Sequence, residues 1–134
     1  MKIIVLDIDD TLLTDKTKPS KYAKKIMGQI PAGIAVALVT SRSELELAET
    51  RASLAKAGIK YDKLFFHRKA KEKPAQTARE WKAGIARKLE RTGFSVVVAI
   101  DNDAGARMAY GDADIETTAP QWFDYSKYNN KGRK

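Results

Sequence analysis

Apolar residues in this chain follow two rhythms. One is the short unbroken run: Lys2 to Leu6, Ile34 to Val39 ("IAVALV"), Lys63 to Phe66, and Ser95 to Ile100 ("SVVVAI"). All four read as strands, and the first two, rich in β-branched residues, as strands buried on both faces. The other rhythm is helical. Leu45, Ala48, Ala52 and Ala55 share one face of a helix predicted over Ser43 to Ala57, with Gly58 in the terminating position. Further helices are expected from Pro19 to Met27, opened by proline in the first turn, from Pro74 to Arg91, ended near Gly93, and from Ala104 to Tyr110. A fifth strand is expected near Ile115. Helices joining successive apolar strands imply right-handed crossovers, hence an α/β fold: a Rossmann-like three-layer sandwich around a mainly parallel sheet of about five strands.

The 134 residues, 43% of them hydrophobic, suit one domain over residues 1–126. Residues 127–134 lack apolar periodicity and read as a basic, fraying tail. The sequence has no cysteine and one histidine, His67, so disulfides and thiolate or zinc clusters are excluded. A metal would be a hard cation held by oxygen. Neither a signal-peptide core nor a membrane-length apolar run is found, and the expectation is a cytoplasmic protein without membrane association or an obligate protein partner.

The net charge of +8 is unevenly spread. Residues 60–94 hold eleven Lys or Arg against four acids, residues 95–126 hold one against six, and residues 127–134 hold four against none. A basic surface serves solubility or meets a polyanion, and composition alone leaves both open. The acids are more telling. Asp7, Asp9 and Asp10 directly follow the first apolar run, Thr40 follows the second, and Asp101, Asn102 and Asp103 follow the fourth. Open α/β sheets bind ligands outside the carboxyl ends of their strands. If the first, second and fourth strands are neighbours, these residues converge on one point.

The run "LDIDDTLL", with Asp7, Asp9 and Thr11, resembles the first motif of the haloacid dehalogenase superfamily of phosphohydrolases, an apolar strand followed by Asp-x-Asp-x-Thr. "AVALVT" with Thr40 is similar to its second motif, and "VVVAIDND" with Asp101 to its fourth. Two lysines compete for the third: Lys73, before Pro74, and Lys82 in "TAREWKAGI". Lys82 lies 19 residues before Asp101, a spacing similar to the phosphatase domain of phage polynucleotide kinase, and is preferred. The resemblance implies Asp7 as nucleophile, Asp9 as general acid and base, and Thr40 and Lys82 as holders of the phosphoryl oxygens. It implies Mg2+ bridging Asp7, the Asp9 carbonyl and Asp101, with Asn102 and Asp103 as outer support. Thr11, Ser41 and Arg42 become candidates for substrate contact. Arg42 reads equally well as a cap of the following helix, and Thr11 and Asp10 as steadying the turn. The chemistry asks for these residue types, since an anionic nucleophile approaches a phosphate dianion only beside a cation and a fixed positive side chain.

Relatives commonly carry two adjacent acids in the fourth motif; here Asn102 follows Asp101, which puts metal affinity in question. Superfamily members acting on small metabolites usually have a cap domain inserted after the first or third strand. Here eleven residues, Ile8 to Lys18, precede Pro19, and Phe66 to Lys73 is similarly short, so no cap domain is expected. An open site with a basic flank points to nucleic-acid ends carrying 3′-phosphates as substrate. The competing readings are a capless phosphatase of small phosphorylated metabolites, a PIN-like metal-dependent ribonuclease and a non-catalytic binding module. A response-regulator receiver fits poorly, because Phe66 and His67 stand where its phospho-accepting Asp would end the third strand. Trp81, Phe65 and Phe66 read as core, and Lys69, Lys71 and Lys73 as a solvated face.

Overall fold

A computed structural model describes residues 1–69 and 73–128. Five parallel strands form the central sheet: β1 (Lys2–Leu6), β4 (Ala35–Ser43), β5 (Lys63–Arg68), β6 (Ser95–Ile100) and β7 (Thr117–Thr118), in the order β5-β4-β1-β6-β7. The helices are α1 (Ala23–Gln29), α2 (Leu47–Lys56), α3 (Ala78–Arg91) and α4 (Ala104–Asp112). This is the expected parallel α/β sandwich. No additional folded domain is inserted among the described residues, so the expectation of a capless fold agrees with the structure. Among the described residues no helix is long and apolar enough to cross a membrane.

Strand alternation explains the unbroken apolar runs. Ile4 and Leu6 face one way, into a cluster with Ile26 of α1, Leu54 of α2 and Phe123; Ile3 and Val5 face the other, onto Ala83, Ala86 and Leu89 of α3 and Tyr110 of α4. Because both faces are covered, consecutive residues must all be apolar. The order of strands then sets the site. β1 pairs with β4 through Leu6↔Leu38 and with β6 through Leu6↔Ile100, so the carboxyl ends of all three are adjacent.

Several boundaries differ from those predicted. Pro19 does not open a helix; it pairs with Leu13 in a small hairpin of β2 (Leu13–Thr14) and β3 (Lys18–Pro19). Ile8 O accepts from the amides of Thr11, Leu12 and Leu13, while Asp10, Asp15 and Lys16 take positive φ. This tight local bonding outweighs the helix-start preference of proline, and α1 begins only after Ser20, whose hydroxyl accepts from Tyr22 N. Strand β4 continues past Thr40 to Ser43. A capping box between Ser43 and Glu46 then starts a 3-10 turn, Glu44–Glu46, ahead of α2. Helix α3 begins at Ala78, where Thr77 caps Glu80 N, not at Pro74. The fifth strand is two residues long and lies after Ile115, which is itself core. Trp81 and Phe65 pack at the edge of the α3 cluster as expected. Lys71 and most of the predicted tail, residues 129–134, lie outside the described residues.

Leu38, fully buried at the centre of β4, tests this packing. Leu38→Ala is expected to lower the unfolding free energy by about 2–5 kcal/mol through lost transfer energy and a residual cavity, measured by urea denaturation.

Candidate active site

Three sequence-distant segments meet at the carboxyl edge of the sheet. Asp7, at the end of β1, is held by its amide, which donates to Ile100 O at 3.0 Å, and by the Thr11 hydroxyl, which donates to Asp7 Oδ2 at 3.2 Å. Asp101 follows β6 and is 1% exposed. Lys82 reaches between them from α3: its Nζ donates to Asp7 Oδ1 at 3.0 Å and to Asp101 Oδ2 at 2.7 Å. Lys73, the other candidate, is exposed on the loop before α3. A cleft of about 300 Å³ opens over the acids, lined among others by Asp7, Asp9, Asp10, Ser41 and Lys82.

Two buried carboxylates facing one ammonium leave the centre short of positive charge. Burial, reinforced by Asp101 and only partly offset by Lys82, raises the Asp7 pKa from 3.8 to about 7. Burial would lower the Lys82 pKa, but Asp7 and Asp101 outweigh it and raise the ammonium's pKa above its ordinary value.

Asp9 is placed differently. Its side chain is 39% exposed, and Arg42 grips it bidentately, Nε to Oδ2 at 3.0 Å and Nη2 to Oδ1 at 2.7 Å. The guanidinium also donates to Thr50 Oγ1 at 2.9 Å and to Lys16 O at 2.7 Å. Arg42, read from sequence as a substrate contact or a helix cap, is engaged here with Asp9, Thr50 and the Lys16 carbonyl. It is buried and ties Asp9, α2 and the hairpin together, a bidentate role suited to arginine. Thr11 is likewise fully buried and supports Asp7 from behind, away from the cleft lining. Thr40 is fully buried and its Oγ1 accepts from Arg42 N at 3.1 Å; Ser41 is exposed at the rim.

The residues suit a hard divalent cation, although among the described residues no group of three His, Cys, Asp or Glu side chains gathers around one point. The Asn102 carboxamide faces Asp9 O at 3.1 Å and Asp7 Oδ2 at 2.8 Å. With its nitrogen inward it donates to both. Asp7, the Asp9 carbonyl and Asp101 are the groups that would hold the ion. Asp101 has its oxygens engaged here, one by Lys82 and one by Asp103 N at 2.9 Å. Asp103 turns away from it: its carboxylate caps α4 at Ala106 N and pairs with Arg79. Arg79 had no motif to mark it in the sequence. Its only signal was a position one helical turn before Lys82.

Residues 4–62 match the family described as haloacid dehalogenase-like hydrolase. No curated protein sequence matches the chain. Solved structures of similar fold include a chain of the Pnkp1/Rnl/Hen1 RNA repair complex, with 17% identity and a TM-score of 0.68. That match covers 88% of this chain and 42% of the other, so this chain spans less than half of its length. D,D-heptose 1,7-bisphosphate phosphatase from B. bronchiseptica, complexed with magnesium and phosphate, has 19% identity and a TM-score of 0.60, covering 89% and 79%. The HAD domain of the effector Lem4 from Legionella pneumophila has 12% identity and a TM-score of 0.53, covering 96% and 91%. The motif acids, the threonine and Lys82 stand in their expected order on this fold, and residues 4–62 are similar to the haloacid dehalogenase-like hydrolases.

The raised Asp7 pKa has a consequence for stability. The folded chain binds a proton more tightly than the unfolded chain between pH 3.8 and about 7, so without metal its stability falls as pH rises through that window. Thermal unfolding in chelator is expected to show this slope, and Asp7→Asn or added Mg2+ to flatten it.

Proposed function

We propose that this chain is an Mg2+-dependent phosphomonoesterase that forms an aspartyl-phosphate on Asp7, and that its substrate is a 3′-phosphate at a nucleic-acid end. The observation that carries the reading is the buried placement of Asp7 against Lys82 and Asp101, with the cleft open directly above. When bound, Mg2+ supplies Lewis-acid polarisation of the phosphoryl group and the positive charge that keeps Asp7 ionised.

Asp7 attacks phosphorus as a carboxylate, and the ester oxygen leaves with the bonding pair. Asp9, at the solvent side, protonates that oxygen. It then takes a proton from the water that attacks the phosphorus of the aspartyl-phosphate, which restores Asp7 and releases inorganic phosphate. Asp9 must turn from Arg42 to do this, and its partial exposure leaves room on the cleft side. Lys82 follows charge as it moves from carboxylate to phosphoryl oxygens, and Thr40, whose Oγ1 accepts from Arg42 N, joins it in holding them. The Asp7–Lys82 contact thus serves the resting enzyme and the transition state in turn.

The nucleic-acid reading is supported by the absence of a cap among the described residues, by the basic stretch from residue 60 to 94, and by the similarity in fold to a chain of an RNA repair complex. A second reading, a phosphatase of small phosphorylated metabolites, is favoured by the fold shared with a heptose bisphosphate phosphatase. The PIN-like nuclease reading has no need of Lys82 between two carboxylates, and the receiver reading lacks an aspartate at the end of the third strand, where Phe66 and His67 stand.

Phosphate release from 3′-phosphorylated oligonucleotides, 5′-phosphorylated oligonucleotides and small esters, each over a salt series, separates the two readings. Activity on 3′-phosphorylated ends that falls with salt is expected, while small esters stay insensitive. Asp7→Asn is expected to reduce release to background, and mass spectrometry or crystallography with beryllofluoride and Mg2+ to find the adduct on Asp7. Metal-dependent phosphatase activity surviving in Asp7→Asn rejects the mechanism.

A further inference from the structure

We propose that Arg79 recognises a second phosphate of the substrate, exchanging Asp103 for that phosphate when the substrate occupies the cleft; this rests on the phosphomonoesterase reading of the same site. Of the residues lining the cleft, Arg79 and Lys82 carry positive charge, and Lys82 is buried against Asp7 and Asp101. Arg79 is the cation that the cleft wall presents to solvent, with its side chain 59% exposed. It lies one helical turn before Lys82 on α3, about 4.5 Å outward along the axis, at the rim where a group next to the scissile phosphate would sit.

The pair is arranged so that it can open. Arg79 Nε donates to Asp103 Oδ2 at 2.7 Å and Nη2 to Oδ1 at 3.0 Å, a fork that a phosphate accepts equally well. An exposed pair of this kind adds little to stability. Asp103 is not stranded when Arg79 leaves, since Oδ2 also accepts from Ala106 N at 2.9 Å and the carboxylate stays at the amino end of α4. The guanidinium lies over Gly105, where a Cβ would overlap it, so the resting position depends on the smallest residue at that point. The second phosphate is either the phosphodiester next to a 3′-phosphate or the other monoester of a small bisphosphate. The chemistry of recognition is the same for both.

Binding in an Asp7→Asn background, where turnover does not consume the ligand, tests this. Calorimetry with Mg2+ present gives dissociation constants for a nucleoside 3′-monophosphate, a dinucleotide with a 3′-phosphate, and a hexose 1,6-bisphosphate. Adding Arg79→Gln is expected to weaken one two-phosphate ligand by roughly tenfold, the worth of a charge-assisted contact, and the monophosphate by less than about twofold. Which two-phosphate ligand responds identifies the source. Adding Asp103→Asn instead keeps a capping side chain on α4 while loosening Arg79, and is expected to tighten the same ligand. Equal losses for one- and two-phosphate ligands, weakening by both substitutions as a purely structural pair would give, or no binding of either two-phosphate ligand overturns the assignment. If the Arg79 dependence holds but the unsubstituted chain releases no phosphate, the assignment stands and the phosphomonoesterase reading fails. Phosphate release from a two-phosphate ligand without Arg79 dependence rejects the assignment and leaves the phosphomonoesterase reading in place.

Discussion

An ammonium group held between two buried carboxylates organises this molecule. Asp7 and Asp101 end adjacent parallel strands and are almost wholly removed from water, an arrangement that would be strongly unfavourable for two bare anions. Lys82 makes it tolerable, and reaches them because α3 crosses one face of the sheet immediately before β6. The compensation is incomplete: one positive charge faces two negative ones, and the proton affinity of Asp7 rises in response. A centre in that condition favours a further cation.

Around that centre the two aspartates of the first motif are given different surroundings by a step of two residues. Asp7 points inward, braced by Thr11 and Lys82. Asp9 points to the cleft and is held by Arg42, whose guanidinium also binds Thr50 of α2 and the backbone of Lys16 in the hairpin. One residue therefore ties the orientation of a carboxylate to the docking of a helix and a loop. The fold commits a buried arginine to geometry, which is where a bidentate side chain is most effective. Outside this shell a second arginine, Arg79, is left at the surface with an exchangeable partner.

Size does not locate the chemistry. A larger apolar groove of about 900 Å³ lies between α1 and the loop after α2, lined by residues such as Met27, Ile30, Ile59 and Tyr61, and contains none of the carboxylates of the site. The acidic cleft is smaller and more polar, yet it brings together Asp7, Asp9, Lys82 and Asp101. Convergence of charged groups that are costly to bury is the better guide.

Much of this was written in the sequence. Apolar runs announced four strands, the first two as covered on both faces, and acids placed after the first and fourth marked a carboxyl edge, because burial on two faces and strand polarity are local consequences of residue order. The preference for Lys82 over Lys73 was also legible, as a matter of helical reach. Other features depended on contacts between distant residues. Pro19 joins a hairpin because the backbone after Asp7 closes on Ile8 O, a closure that proline's helix preference does not reveal. Arg42 holds Asp9 because β4 runs on to Ser43 and carries it inward. The Asn102 amide donates to Asp7 and the Asp9 carbonyl, while Asp101 engages Lys82 and the Asp103 amide. Which partner each buried charge takes is a competition among groups far apart in the chain, and only the folded structure decides it.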